Sequence, residues 1–207
     1  MSRHPPIQTV RPEGESLPQC DVIPLRRRPL AERTDDELMQ IACGGVDDAF
    51  AELVRRYQGQ VRGYCARCCG GEAAGDDVAQ EVFLELWRVR GRYEPRGRFR
   101  SYLFTIVQTR VLNTVRRRRP EVELDADLHL PGRELDAVLE LERARRVHHN
   151  LGSLPSRLQE ALLLRFCAGL DYAEMSEVLQ RSQSTVRSRV FHGLMRMREL
   201  FGEDRDQ

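Results

Sequence analysis

Apolar residues recur at helical spacing through most of the chain from residue 34 onward, and no alternating strand pattern of useful length interrupts them. The segment TDDELMQIACGGVDDAFAELVRRY opens this pattern, and its Thr34, with Glu37 three residues later, forms a capping box at a helix start. Residues 1–33 hold six of the ten prolines and carry no periodic apolar face. The sequence therefore predicts an all-α protein that follows a disordered N-terminal arm at residues 1–33.

An acidic spacer rich in helix breakers divides the helical part into two small domains. The spacer, PEVELDADLHLPGRELD, separates a first domain at residues 34–119 from a second at residues 138–207, and residues 120–137 form the linker. We interpret the linker as a solvated connection. The alternative is that its acidic side chains mimic nucleic acid and shield the preceding basic segment until a partner displaces them.

The helix predicted at residues 77–90 carries more apolar surface than one core contact needs. On a helical wheel its apolar residues, Val78, Val82 and Leu86 among them, share an arc that can face a core. A second patch lies outside this arc and combines apolar with acidic side chains, and it consists of Asp77, Gln80, Glu81, Leu84 and Trp87. Such a surface is typical of protein docking sites. The alternative is that Leu84 and Trp87 pack beneath the following loop.

A strongly basic segment follows, because residues 95–119 contain eight arginines and no acidic residue. The wheel for residues 101–116 predicts a buried apolar stripe, which consists of Leu103, Ile106, Val107, Val111 and Val115. Arginines, aromatic rings, amides and hydroxyls around the opposite side suit contact with phosphates and unpaired bases. We expect the nucleic-acid contacts to come from Arg96, Arg98, Phe99, Arg100, Ser101, Tyr102, Thr105, Gln108, Thr109, Asn113, Arg116 and Arg117.

The segment LDYAEMSEVLQRSQSTVRSRVFHGLMRMREL predicts two helices joined by a short turn. Asp171 and Glu174 form a second capping box, and Ser182 can cap the later helix. The predicted apolar back of the later helix consists of Val186, Val190, Leu194 and Met197. Its polar front suits the major groove of duplex DNA. That front consists of Ser182, Gln183, Ser184, Thr185, Arg187, Ser188, Arg189, His192 and Arg196.

Composition narrows the possible environments of the protein. The formal net charge of +1 averages a basic segment against an acidic linker, so the local charge is what a phosphate backbone meets. No apolar run reaches the roughly 20 residues of a membrane span, and no secretory signal is evident. We therefore expect a cytoplasmic protein without membrane insertion, in which the six unevenly spaced cysteines are free thiols.

Three motifs occur in order over residues 34–201, namely DDVAQEVFLELW, FRSYLFTIVQTRVLNTVRRRR and LGSLPSRLQEALLLRFCAGLDYAEMSEVLQRSQSTVRSRVFHGLMRMREL. In order and spacing they resemble extracytoplasmic-function (ECF) sigma factors, which are bacterial initiation subunits with only the second and fourth sigma domains. The resemblance implies that the chain binds core RNA polymerase and promoter DNA and directs promoter-specific initiation. It also implies an anti-sigma factor as a partner.

The resemblance assigns a role to each surface. The 77–87 helix would bind the clamp helices of the largest polymerase subunit. The loop at residues 91–98 and the helix at residues 99–119 would capture and melt the minus-ten promoter element, with an extruded base held in the loop. The 171–200 unit would read the minus-thirty-five element as duplex DNA.

This chain departs from the family pattern at three places. The family usually has Trp where Tyr102 stands, Ala-Arg-Asn at residues 107–109, and Gly where Gln180 stands. Gln180 must therefore accept a turn that glycine would enter more easily.

Two other classes of protein compete with this interpretation. One is a helix-turn-helix regulator whose first domain senses metal or redox state through the segment CARCC. Cys65 and Cys68 have zinc-ligand spacing, but no second pair completes the four ligands that zinc needs, so we expect buried thiols there, Cys69 included, and no metal site. The other is an enzyme, but His148 and His149 adjoin no nucleophile and no phosphate-binding loop exists. We expect neither catalysis nor a cofactor.

Overall fold

The structure is a computed structural model that describes residues 28–117 and 146–203. Every regular element within these two ranges is helical, which confirms the predicted all-α class. The predicted linker and most of the predicted N-terminal arm lie outside the described residues, and so does the possible shielding by the acidic side chains of the linker.

The first domain packs four helices around one core. The helices are Asp35–Cys43 (α1), Asp47–Cys69 (α2), Glu72–Val89 (α3) and Phe99–Arg117 (α4), with short 3-10 turns at Leu30–Glu32 and Arg90–Arg92. Helix α2 lies at the centre because it packs against each of the other three. Its residues Leu53, Tyr57, Val61 and Tyr64 are buried at helical spacing, so one face of α2 supplies much of the core.

Helices α2 and α3 approach each other closely where α3 carries a glycine. A Cβ at Gly75 would lie 2.4 Å from backbone atoms of Ala66, so no larger residue fits without a shift of the helices. Farther along α3, Val78, Val82 and Leu86 are at most 3% exposed. The core-facing arc predicted for this helix is therefore confirmed.

The folded part begins before the boundary predicted at residue 33. The Arg56 guanidinium on α2 donates hydrogen bonds to the backbone carbonyls of Leu30, Ala31 and Arg33 at 2.8 to 3.3 Å. The same guanidinium pairs with the Asp35 carboxylate at 2.8 Å. Residues 28–33 consequently form a turn that lies against α2. The sequence did not predict this turn, because the segment contains proline and arginine and has no periodic apolar face.

The second domain has four helices in its described part. They are residues 146–152 (α5), Ser156–Leu162 (α6), Tyr172–Leu179 (α7) and Gln183–Glu203 (α8), with a π-helical turn at Leu163–Cys167 after α6. Gly193 allows α8 to lie close to α6, because a Cβ there would stand 2.9 Å from the side chain of Leu162. The capping box of Asp171 and Glu174 begins α7 as predicted, with two hydrogen bonds of 2.8 Å.

The turn between α7 and α8 has the left-handed conformation expected for it. Gln180 has φ 53° and ψ 46°, and it is the one non-glycine residue with positive φ in the part of the chain that the structure describes. Ser182 then caps α8, since its hydroxyl accepts a hydrogen bond from the Thr185 backbone N–H at 3.3 Å. The sequence predicted both features.

The two domains contact each other directly. Helix α7 packs along α4, and the π-helical turn packs against α2. The first helix of the predicted helix-turn-helix therefore lies on the helix predicted to hold melted DNA.

Candidate polymerase-binding and nucleic-acid interfaces

An open groove of about 550 Å³ runs between α2 and α3. It is lined by Phe50, Val54, Gln58, Arg62, Asp76, Ala79, Gln80, Phe83, Leu84 and Trp87. Leu84 is 65% exposed, so it does not pack beneath the following loop. The Trp87 ring is half-buried, with Phe50 at a centroid distance of 4.9 Å and the Arg90 guanidinium 3.8 Å above it. The groove thus combines a fixed aromatic wall with an uncovered leucine.

The polar members of the predicted docking patch lie on the same exposed side of α3. Asp77, Gln80 and Glu81 are all exposed. Glu85, one turn farther, pairs with Arg110 of α4 at 2.7 Å. Arg110 therefore binds α3 to α4, and this explains why one arginine of the basic segment points away from the predicted nucleic-acid face.

The loop between α3 and α4 is held at its base by aromatic rings. The Tyr93 ring lies 5.9 Å from that of Phe99 and 5.0 Å from that of Tyr102, measured between centroids. Phe99 also contacts Tyr57 of α2 at 5.4 Å and is 2% exposed. The sequence predicted Phe99 as a contact for bases, but it is a core residue here because it is buried against the rings of Tyr57 and Tyr93.

One carboxylate of α1 connects both ends of this loop. An Asp36 oxygen accepts hydrogen bonds from the Tyr93 hydroxyl and from the Gly97 backbone N–H, the latter at 3.2 Å. Burial, followed by the hydrogen bond to Asp36, raises the pKa of Tyr93 above its ordinary value. Sequence reasoning missed Asp36, which looked like an ordinary acidic residue in a first helical turn.

Two arginines predicted to contact DNA are instead paired with the second domain. Arg98 forms an ion pair with Glu177 at 2.7 Å, and Arg100 forms one with Glu174 at 3.2 Å. Arg100 also donates to the backbone carbonyls of Ala168 and Gly169 at 3.1 and 3.0 Å. Carboxylates and carbonyls of the second domain thus occupy positions where phosphate oxygens were expected.

Gln108 lies at the centre of the contact between the domains and is 8% exposed. Its carbonyl oxygen accepts a 2.6 Å hydrogen bond from the Tyr64 hydroxyl, and its amide donates to the Glu160 carboxylate. Burial raises the pKa of Glu160 above its ordinary value. The prediction that Gln108 lies on an exposed polar face is therefore wrong, because an amide can satisfy two buried partners at once.

The remaining predicted residues of the loop and of α4 divide by exposure. Ser101 is 4% exposed, which also contradicts the predicted face, and Tyr102 is half-buried by its contact with Tyr93. Thr109 is half-buried, and the exposed members are Arg96, Thr105, Asn113, Arg116 and Arg117. The predicted apolar stripe is buried only in part, since Val115 is 45% exposed.

The front of α8 remains open. All its predicted DNA-contacting residues are exposed except Arg189, which is half-buried near the Glu160 carboxylate. Val186 and Val190 at the back are at most 3% exposed, which confirms the start of the predicted apolar stripe. Leu194 was expected in the same stripe but is 47% exposed, because the contact with α6 is made through Gly193 instead.

The cysteines of α2 are mostly enclosed. Cys65 and Cys69 are buried, which confirms that part of the prediction, whereas Cys68 is half-buried. Burial raises the pKa of the Cys65 thiol to about 12, and burial also raises the pKa of the Cys68 thiol. Within residues 28–117 and 146–203, no group of three or more candidate ligands could hold a metal ion.

Both domains match established protein families. The model of sigma-70 region 2 matches residues 53–121, and the model of sigma-70 region 4 matches residues 144–197. The ECF RNA polymerase sigma factor SigK of Mycobacterium sp. (strain JLS) is 30% identical over 172 residues, which cover 80% of this chain and 89% of that protein. The chain belongs to the ECF sigma factor family. The RNA polymerase sigma-H factor of Pseudomonas aeruginosa is also 30% identical, over 78% of this sigma factor and 91% of its own length.

Solved structures agree with this assignment. The structure of CnrH in complex with the cytosolic domain of CnrY matches the sigma factor with a TM-score of 0.67 and 26% identity, over 82% of this chain and 98% of CnrH. RpoE of Bartonella quintana, with a TM-score of 0.63 and 19% identity over 76% of this chain and 98% of its own, shares the fold.

The function follows from the family. The sigma factor binds core RNA polymerase and directs promoter-specific transcription initiation, and it is an initiation factor rather than an enzyme. The competing interpretation as a cysteine-sensing regulator is disfavoured by this membership. In the described part of the sigma factor, no helix is long and apolar enough to cross a membrane.

Proposed function

We propose that the sigma factor divides its work among three surfaces. The groove between α2 and α3 binds core RNA polymerase. The 91–98 loop and α4 bind the minus-ten element, and the front of α8 reads the minus-thirty-five element. The exposure of Leu84 is the observation that carries the first assignment.

A leucine that is 65% exposed beside a half-buried tryptophan needs a partner to remove it from water. Covering such a side chain contributes about 1.5–3 kcal/mol to association. Exposed Gln80, one turn before Leu84, and the neighbouring acidic Asp77 and Glu81 supply the polar rim that protein interfaces carry. The groove therefore fits a partner with an apolar ridge flanked by basic residues.

The experiment is a pull-down of core polymerase with Gln80→Ala combined with Leu84→Ala. We expect at least a tenfold loss of affinity, which corresponds to about 1.4 kcal/mol, with helical content unchanged. The matched control is Gln60→Ala combined with Leu112→Ala, because these residues are exposed and lie outside the groove. Equal binding by both double variants would remove the groove from the interface.

The minus-ten assignment is supported by exposed polar and basic residues along one side of α4. Thr105, Asn113, Arg116 and Arg117 follow each other at helical spacing over three turns. Their hydroxyl, amide and guanidinium groups suit a single strand, whose phosphates and base edges are both accessible. Arg98 and Arg100 join this surface once their carboxylate partners move away.

The minus-thirty-five assignment is supported by the N-terminal turns of α8. Gln183, Ser184, Arg187 and Ser188 are exposed there, directly after the Ser182 cap. A recognition helix contacts base edges with this part, where donors and acceptors enter the major groove first. The valines buried behind this face fix its orientation.

An anti-sigma factor is the further partner that we assign to the chain. Support comes from two structural neighbours, namely RpoE of Bartonella quintana, which was solved in complex with the anti-sigma factor NepR, and CnrH, which was solved together with the cytosolic domain of CnrY. The sigma factor works in the cytoplasm, since that compartment contains bacterial core polymerase and promoter DNA.

A further inference from the structure

The loop that joins α3 to α4 has an exposed tip and a fixed base. Residues 94–96 form the tip, and all three are exposed. Tyr93 and Gly97 flank the tip on its two sides, and both donate hydrogen bonds to the same oxygen of Asp36. A single carboxylate oxygen thus joins the two ends of the loop.

Asp36 is itself held in place by its helix. It lies in the first turn of α1, between Thr34 and Glu37, the two residues of the capping box that satisfy each other's backbone N–H groups. Two residues later, Leu38 and Met39 are fully buried, which fixes α1 against the core. The carboxylate therefore projects from a rigid element and not from a mobile one.

The loop enters α4 through a glycine with positive φ. Gly97 has φ +69°, a conformation that other residues adopt at a cost, and it precedes α4 by only two residues. Tyr93 transmits its position to α4 through ring contacts with Phe99 and Tyr102. The bonds to Asp36 consequently set both the width of the loop and its angle to α4.

We propose that Asp36 is a positioning residue for base recognition by this loop. It holds the 94–96 tip at the width and angle that receive one extruded base of the minus-ten element, and it does so without touching the base. The inference rests on the proposed role of the loop and α4 in minus-ten recognition. Pre-organisation of this kind favours one base geometry over others, because a loop that is already ordered loses less entropy on binding.

The test measures base preference position by position. Core polymerase loaded with the full chain is incubated with a randomised single-stranded DNA pool, and the bound sequences are counted. Wild type should show a preference at several neighbouring positions. Asp36→Ala should reduce the preference at one of them on the order of tenfold, as expected when two hydrogen bonds that order the loop are lost, and leave the others unchanged.

Two companion variants separate positioning from mere stability. Asp36→Asn keeps an oxygen that accepts both bonds and should retain the wild-type preference, whereas Tyr93→Phe keeps the ring, loses one bond, and should show an intermediate loss at the same position. The matched control is Asp48→Ala, because Asp48 occupies the same second position in the first turn of α2 and is exposed. It should behave as wild type.

The outcomes distinguish this inference from the function on which it rests. A wild-type holoenzyme without base preference in the pool would overturn the proposed minus-ten role of the loop and α4. A wild-type preference that both Asp36→Ala and Tyr93→Phe retain would overturn the positioning role alone. A uniform loss at every position, together with a lowered melting temperature in Asp36→Ala and Tyr93→Phe, would also overturn it, because that pattern indicates a stability effect.

Discussion

The two surfaces that we assign to promoter DNA differ in how much of each is covered by the rest of the chain. The front of α8 is open, and eight of its nine predicted contact residues are exposed. The corresponding side of α4 and of the loop before it is covered in part, where Arg98, Arg100 and Gln108 bind side chains of the second domain. The second domain therefore leaves the surface that we assign to the minus-thirty-five element open, while it covers part of the surface that we assign to the minus-ten element.

The chemistry of the covering side chains explains the difference. Glu160, Glu174 and Glu177 all come from the second domain, and they offer carboxylate oxygens to α4 and the loop before it. Phosphate oxygens would make the same kind of charge-assisted bonds. Promoter contact through these residues of α4 thus requires the two domains to separate.

The Arg98–Glu177 ion pair contributes little free energy to this contact. The side chains of Arg98 and Glu177 are 64% and 34% exposed, and ion pairs of this kind contribute only about 0.2–1 kcal/mol each. Gln108 is the exception because it is buried. The predictions below follow this order, from the buried contact to the exposed ones.

The largest effect is expected from Gln108→Ala. The change leaves the buried Tyr64 hydroxyl and the Glu160 carboxyl without their shared partner, and each unsatisfied group costs roughly 1–3 kcal/mol. Urea denaturation should therefore show a free energy of unfolding lowered by at least about 2 kcal/mol. Thr109→Ala is the control, since its half-exposed hydroxyl bonds only to the Thr105 carbonyl. Similar values for the two variants would show that Gln108 is not a structural link.

Truncation of one side chain on the front of α8 should affect DNA recognition and not the stability of the fold. Arg187→Ala removes an exposed guanidinium from the front of α8 and should lower discrimination for the minus-thirty-five element by about 1–3 kcal/mol. Opening of a pre-melted template should stay near the wild-type level. Run-off transcription on duplex and pre-melted promoters measures both quantities, with exposed Arg198→Ala as the control. Equal losses on both templates would contradict the division between α4 and α8.

The ion pairs Arg98–Glu177 and Arg100–Glu174 should give a smaller effect of opposite sign. Glu174→Gln combined with Glu177→Gln removes two charges from the cover of α4, while glutamine still completes the capping box of α7. The free chain should bind a labelled single-stranded oligonucleotide roughly fivefold more tightly, which corresponds to about 1 kcal/mol. Fluorescence anisotropy provides the measurement.

The control for this charge removal is Asp76→Asn, which breaks the 2.6 Å ion pair with Arg62 far from α4. It removes a carboxylate charge but uncovers nothing. If it raises the affinity as much as the double variant does, the gain reflects net charge and not the opening of the domains.

The sequence predicted the elements better than it predicted their partners. Both capping boxes, the arc of α3 and the turn at Gln180 were correct, because each depends on neighbours within a few residues. The burial of Gln108 and the role of Asp36 were missed. Their partners lie 44 to 61 residues away along the chain, and no local periodicity records such contacts.

The helical wheel of α4 also failed to predict contacts with distant parts of the chain. The wheel predicted that the polar side of α4 contacts nucleic acid, since amides and hydroxyls are usually exposed. In the folded chain a second helical domain lies on that side and satisfies those groups itself. A helical wheel separates apolar from polar positions, but it does not tell which polar side chains have partners within the same protein.

The smallest effect is expected at the turn that joins the covering helix α7 to the open helix α8. Gln180 has φ 53° there, and a non-glycine residue in this conformation costs about 1 kcal/mol. Gln180→Gly should therefore raise the free energy of unfolding by about 0.5–1 kcal/mol, since the added flexibility of the unfolded chain offsets part of the gain. Gly169→Ala is the reverse control, because Gly169 has φ +63° and should lose a similar amount. Urea titrations of both variants provide the test. A loss of stability in Gln180→Gly would mean that contacts of the glutamine side chain outweigh the strain of the turn.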